Sequence, residues 1–143
     1  MPCETTVRVT WGDTDAGGLI YFPRFFHFVV VGLNDYFAPV EDHLMETLRR
    51  EGQALPAVDA AASFETPLRA GETATVRTAV TAGETSLTVD FAVRREAGAD
   101  DAGGERAASG EVSFVLVDGA FEPTPLPDRV HECVRERGDA TDA

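Results

Sequence analysis

Residues 11–37 read WGDTDAGGLIYFPRFFHFVVVGLNDYF. Asp13 and Asp15 stand one residue apart, and Gly17 and Gly18 follow at once. The glycines and aspartates of 12–18 form a turn-rich break, and Pro23 suits the first turn of a helix. From residue 24 to about 37 the side chains are apolar on nearly every face, the pattern of a helix buried all round rather than laid on a surface. The valines at 29–31 favour a strand locally, but the length of the run favours a helix. Gly32 costs such a helix about 1 kcal/mol relative to alanine, tolerable where it permits close packing. A carboxylate beside an apolar element is costly to hold, so the chemistry of Asp15 becomes the central question.

Reading outward, Pro39 ends the long helix. Residues 41–50 (EDHLMETLRR) make a shorter one, with acids at its start and Arg49 and Arg50 at its end, as the helix dipole prefers. Before the break, Val7, Val9 and Trp11 alternate with Arg8 and Thr10 as in a short strand. After Gly52 the pattern becomes strands: a weak one of small residues over 55–65, an alternating one over 72–81, the clearest over 87–94, and a last one over 105–117. Gly83-Glu84 and Asp118-Gly119 read as turns, 97–104 as an exposed hairpin loop, and 128–137 as a short helix followed by a frayed tail. Consecutive, nearly hairpin-connected strands after one helix indicate an α+β fold with an antiparallel sheet. A sheet curled around an all-apolar helix leaves surface that one subunit hardly covers, so a homodimer or homotetramer is expected.

The chain has 143 residues, which suits one domain with one core. Residues 1–143 are therefore read as a single domain with a short C-terminal tail from about residue 128. No stretch approaches a membrane span, since the longest apolar run, 25–31, is broken by His27. MPCETTVRV lacks the basic start and apolar stretch of a signal peptide, so a cytoplasmic location is expected. There are 25 acids against 12 bases, net charge −13, and all 12 bases are arginine. Such a surface repels nucleic acid. With its acids scattered rather than gathered in a tail, it reads as halophilic: at 1 M salt the Debye length is about 3 Å and self-repulsion is screened. An acidic protein of ordinary habitat is the alternative. Cys3 and Cys133 show no metal-ligand spacing and read as ordinary thiols.

The stretch WGDTDAGGLIYFPRF, continued by NDYF at the helix end and weakly by Ala62-Ser63-Phe64 and the alternating strands, resembles the 4-hydroxybenzoyl-CoA thioesterase branch of the hotdog-fold acyl-CoA thioesterases. The resemblance covers nearly the whole chain. It implies a hotdog fold, with an antiparallel sheet of about five strands wrapped around one long apolar helix, and hydrolysis of an acyl-CoA thioester without cofactor or metal. It also implies roles. Asp15 falls at the catalytic carboxylate, which attacks the thioester carbonyl or activates water against it. Asp13 falls at the first acid, a turn-former. Gly18 lets substrate pass close to the backbone, and the Phe22 N–H points at the thioester oxygen.

Elementary chemistry is compatible with these roles. A helix N-terminus leaves N–H groups unpaired and carries partial positive charge, which stabilises a developing oxyanion. Pro23 donates nothing, so Phe22 and Arg24 onward are the expected donors. Tyr21, Phe22, Phe25, Phe26 and Phe28 offer a ring-lined acyl pocket or plain core. His27 offers a general base, a pocket lining, or a core or interface histidine. Asp13-Thr14-Asp15 as a metal-binding pair lacks further ligands. In relatives the turn between the two central strands can carry bases for the nucleotide phosphates. Here it reads Ala82-Gly83-Glu84-Thr85-Ser86, with Ser86 as a phosphate partner, Arg77, Arg94, Arg95 and Arg106 as further candidates or plain solvated faces, and a carrier-protein thioester as an alternative substrate. Val29–Val31 in place of polar groups favour an unsubstituted aromatic or aliphatic acyl group. A non-catalytic acyl-CoA-binding module and a hotdog dehydratase using His27 are the competing functions.

Overall fold

In the computed structural model, which describes residues 3–96 and 104–141, strand β1 (Cys3–Arg8) lies earlier than the alternation at 7–11 implies and ends before Trp11. The Thr10 N–H is taken by the Asp13 carboxylate at 2.8 Å, and the chain closes into one 3-10 turn over Trp11–Asp13. Trp11 leaves the strand altogether and stands 83% exposed. Helix α1 (Arg24–Phe37) matches its expected limits. Helix α2 (Leu44–Arg50) starts later than residue 41, because His43 caps it by accepting the Glu46 N–H at 3.3 Å. Glu41 is bonded instead to Arg129.

Four strands follow: β2 (Ala57–Phe64), β3 (Thr73–Ala82), β4 (Ser86–Arg95) and β5 (Arg106–Val115). They pair antiparallel in the order β1-β3-β4-β5-β2. The hairpin succession holds for β3, β4 and β5, whereas β2 crosses to the outer side of β5. Its small residues offer little to bury, and it forms an edge whose side chains are almost all exposed, a template for further pairing. Gly110 permits the β2–β5 contact: a Cβ there would lie 2.1 Å from the Ala61 carbonyl oxygen. The expected hairpin loop at 97–104 falls almost wholly outside the described residues.

The alternating strands put Ala74, Val76, Thr78 and Val80 of β3 and Leu87, Val89, Phe91 and Val93 of β4 on one buried face. Phe25, Phe28, Val29, Leu33, Tyr36 and Phe37 of α1 cover that face. The opposite side of α1 is not buried all round. His27 and Asp35 are exposed and Val30, Val31 and Asn34 are half-buried, because one sheet reaches only one side of a helix.

Up to Thr141, the last described residue, the tail is ordered rather than frayed. Helix α3 (Asp128–Glu136) buries Val130, His131, Cys133 and Val134, and strand β6 (Ala140–Thr141) pairs in parallel with the end of β3, past where β1 stops. Between the two partner strands the Val80 N–H is answered by the Asp139 carboxylate at 3.0 Å, which also accepts the Tyr36 hydroxyl at 2.6 Å. Burial first, then the neighbouring Asp139, pushes the Tyr36 hydroxyl pKa far up. Cys3 and Cys133 are buried free thiols.

Gly32 fixes the height of α1 above the sheet, since a Cβ there would meet Thr78 Oγ1 at 2.6 Å and Val76 Cγ1 at 3.3 Å. Gly32→Ala gains about 1 kcal/mol in helix propensity but overpacks a stiff β-branched neighbour at a cost of about 1–3 kcal/mol. Thermal or denaturant unfolding should therefore show Gly32→Ala less stable than the parent, with Thr78→Ala restoring part of the loss in the double variant.

Candidate active site

Asp13 organises the region from a buried position. Its Oδ2 accepts the Thr10 N–H at 2.8 Å and the Thr10 hydroxyl at 3.0 Å. Its Oδ1 accepts Arg24 Nε at 2.9 Å and pairs with Arg24 Nη2 at 2.7 Å. Burial opposes ionisation, yet the Thr10 donors and the Arg24 guanidinium outweigh it and hold the carboxyl below the usual aspartate value. The two aspartates are thus committed to different partners rather than arranged to chelate one ion.

Residues 14–20 form a small hairpin closed by the Thr14–Ile20 bridge. Asp15 N donates to Leu19 O at 2.9 Å, and Gly18 N donates to Asp15 O at 3.0 Å. Gly18 takes φ +80°, the left-handed conformation that such a three-residue loop needs and that glycine adopts without strain. The Gly17 N–H donates to Asp15 Oδ1 at 2.8 Å, orienting the carboxylate. Asp15 is exposed in the single chain, but it does not face bulk solvent alone. It lines a cavity of about 260 Å³ together with Leu19, Ile20, Phe22, Phe25 and Phe64.

The donors at the start of α1 are nearly all spent. Arg24 N donates to Tyr21 O at 2.8 Å, Phe25 N to Phe22 O at 3.1 Å and Phe26 N to Pro23 O at 3.0 Å. Pro23 has no N–H. This corrects the expectation that Arg24 onward supplies donors. Among the described residues the Phe22 N–H has no acceptor, and Phe22 lines the same cavity as Asp15. A carboxylate and an open amide donor around an apolar space can attack, and stabilise, a polarised carbonyl.

The other expected residues divide. Phe25 lines the cavity; Phe28 packs edge-on against Phe25, and Phe26 packs edge-on against Phe91. Tyr21, 52% exposed, stands beside Phe22 outside the cavity, with ring centroids 5.7 Å apart. His27 is not brought to Asp15: two residues past Phe25 on a helix it lies on another face, exposed, its ring near that of Phe28. Ser86 opens β4 beside Val115, whereas Phe64 pairs with Ala108 near the other end of β5. Within one chain Ser86 and the cavity are at opposite ends of the sheet.

Phe64, whose sequence context did not mark it as a site residue, lines the same cavity as Asp15. The Phe64 ring lies 5.7 Å from that of Phe22 and 5.4 Å from that of Phe25. Glu65 to Pro67 complete the rim, and Ile20 N donates to Leu68 O at 2.8 Å, joining the hairpin to this segment. Bonding to Arg106 holds Glu65 below the usual glutamate value, so it is ionised and occupied. The available signal was a lone aromatic ending an alanine strand just before Glu-Thr-Pro.

An antiparallel sheet covering one long helix is the hotdog architecture. The chain belongs to the thioesterase-like superfamily, whose family model matches residues 9–134. The fold is similar to that of a 1,4-dihydroxy-2-naphthoyl-CoA thioesterase from Synechocystis, at TM-score 0.83 and 19% identity over 95% of this chain and 97% of that one. A gentisyl-coenzyme A thioesterase gives 0.76 at 21% identity over 90% and 98% of the two chains. A Staphylococcus aureus protein in complex with CoA gives 0.79 at 13% identity over 95% and 83%. Comparison with curated protein sequences finds no significant match.

The Asp13 bonds carry a pH signature. A carboxyl held below its unfolded value stabilises the fold above that value and loses this contribution as pH falls through the folded one. The stability difference between the parent and Asp13→Asn should be largest near neutrality and shrink from about pH 5 downward, read by denaturant unfolding across pH.

Proposed function

We propose that the protein hydrolyses acyl-CoA thioesters bearing an aromatic or apolar acyl group. The observation that carries this reading is the pairing of Asp15 with the one unspent N–H of the helix start, at Phe22, on one cavity. The acyl group lies among Phe22, Phe25 and Phe64, and the carbonyl oxygen accepts the Phe22 N–H. Asp15 Oδ2, free of the Gly17 bond, faces the carbonyl carbon. It either attacks that carbon, expelling thiolate and leaving an anhydride that water cleaves, or takes a proton from water as the water attacks and returns it to the thiolate. Both routes yield one carboxylic acid and one thiol. The names of the similar structures, thioesterases of aromatic acyl-CoA and a CoA complex, support the substrate class. Family membership supports the reaction.

The working unit is a homo-oligomer. Phe22 is 58% and Phe64 48% exposed, an apolar opening beside the unpaired edge of β2 that a second copy would cover. Antiparallel pairing of two β2 edges would also carry the Ser86 turn of one copy toward the cavity of the other. An acyl-CoA substrate supports a cytoplasmic location. Among the described residues no helix is long and apolar enough to cross a membrane. The net charge of −13 supports operation in concentrated salt.

Thiol release from a panel of benzoyl-, phenylacetyl- and straight-chain acyl-CoAs tests the reaction. Asp15→Asn should lower kcat by at least about 100-fold while CoA still binds. Binding without turnover by the parent would instead support a non-catalytic module, and dehydration of a 3-hydroxyacyl-CoA without thiol release, abolished by His27→Ala but not by Asp15→Asn, a dehydratase. Transfer of labelled oxygen from water into the Asp15 carboxylate marks the anhydride route. Turnover and thermal stability should both rise from low to molar KCl, because screening relieves the self-repulsion of the acidic surface.

A further inference from the structure

Resting on the hydrolase reading, we infer that Asp13 and Arg24 form a positioning clamp that fixes the Phe22 N–H relative to the Asp15 carboxylate. Asp13 ties down the approach to α1 at two points. Its side chain holds the guanidinium of Arg24, and its carbonyl oxygen accepts the Tyr21 N–H at 2.8 Å. These two ties bracket Phe22, the residue whose amide is left open. On the other side, Asp13 precedes by two residues the carboxylate that shares the cavity, and Asp15 is itself fixed by Leu19 O and Gly17 N. Asp13 is therefore the joint between the loop bearing the carboxylate and the helix start bearing the donor.

The chemistry of the pair suits this task. Both oxygens of Asp13 are engaged, one by Thr10 and one by Arg24, so the carboxylate cannot rotate without breaking bonds. Arginine presents a planar fork of donors whose orientation is set by geometry, which a lysine ammonium does not. A half-buried ion pair is a weak source of stability compared with apolar packing. Direction is what it supplies. A displacement of about 1 Å between reacting groups can cost about 100-fold in rate. Neither residue reaches the cavity lining, so the pair acts through Phe22 and Asp15 and not on substrate.

The test compares the parent, Arg24→Ala and Arg24→Lys in acyl-CoA hydrolysis, with thermal unfolding and amide exchange on the same proteins. Arg24→Ala should lower kcat about 10- to 100-fold with KM within about threefold, Arg24→Lys should recover only part, and added guanidinium should restore turnover to Arg24→Ala. The Tyr21 amide, bonded to the Asp13 carbonyl, should exchange faster in Arg24→Ala, with those of the later turns of α1 unchanged. Equal kcat in Arg24→Ala and an active parent would overturn the clamp and leave the hydrolase reading standing. So would a fall in kcat that tracks faster exchange along all of α1 and is not rescued by guanidinium. No turnover of any acyl-CoA by the parent would overturn both.

Discussion

Helix α1 reaches the sheet because nothing projects from position 32. With Thr78 Oγ1 and Val76 directly beneath Gly32, the helix axis is set at its middle, while the Tyr36–Asp139 bond ties its C-terminal end to β3. A rod held at two points delivers its N-terminus to a defined place. That place is the end of the sheet where β2 finishes at Phe64, and the rings of Phe22, Phe25 and Phe64 meet there. The apolar wall of the cavity is a consequence of how closely the helix is seated, and the tail residues take part in the seating although they are remote from the cavity.

Within this frame the two acids of one short motif have opposite fates for physical reasons. Asp13 is buried, and a buried carboxylate must be satisfied; Thr10 and Arg24 do so and leave it no lone pair for chemistry. Asp15 is on the open side of a hairpin, oriented by a single amide at Gly17 and otherwise uncommitted. The backbone shows the same division between spent and unspent groups. Proline at 23 and the tight bonds of the first turn consume or remove every neighbouring donor except the one at Phe22. Reactivity at this site is what remains after the structural needs of the turn are met.

Much of this was legible from residues alone. The strict alternation at 87–93 and the apolar run ending at Pro39 gave β4 and α1, because these periods follow from strand and helix geometry. The turn chemistry of Asp-x-Gly-Gly and the position of Pro23 indicated a loop handing over to a helix start. Other readings failed where a side-chain bond or a distant partner overrides the local pattern. Trp11 continues the alternation but is expelled when Asp13 captures Thr10. His27, Val30 and Val31 sit in the same apolar run as Phe28 and Val29, yet only one side of the helix meets the sheet. The tail looked frayed because the partners of Asp139 lie far away in sequence, at Tyr36 and Val80.

The sequence by itself determined the helices and the strands β2 to β5, the acidic Arg-only composition and the motif that places one carboxylate before one long helix, since each rests on neighbours within a turn or a strand. Only the tertiary structure decided that β2 lies at the far edge beside β5, that Phe64 lines the cavity with Asp15, that Ser86 and His27 are away from it, and that of the expected donors only the Phe22 amide is left open. Strand order and the pairing of individual N–H groups depend on contacts between residues far apart along the chain. Local propensity carries no record of such contacts, because the same short segment can be edge or centre, spent or free, according to what folds against it.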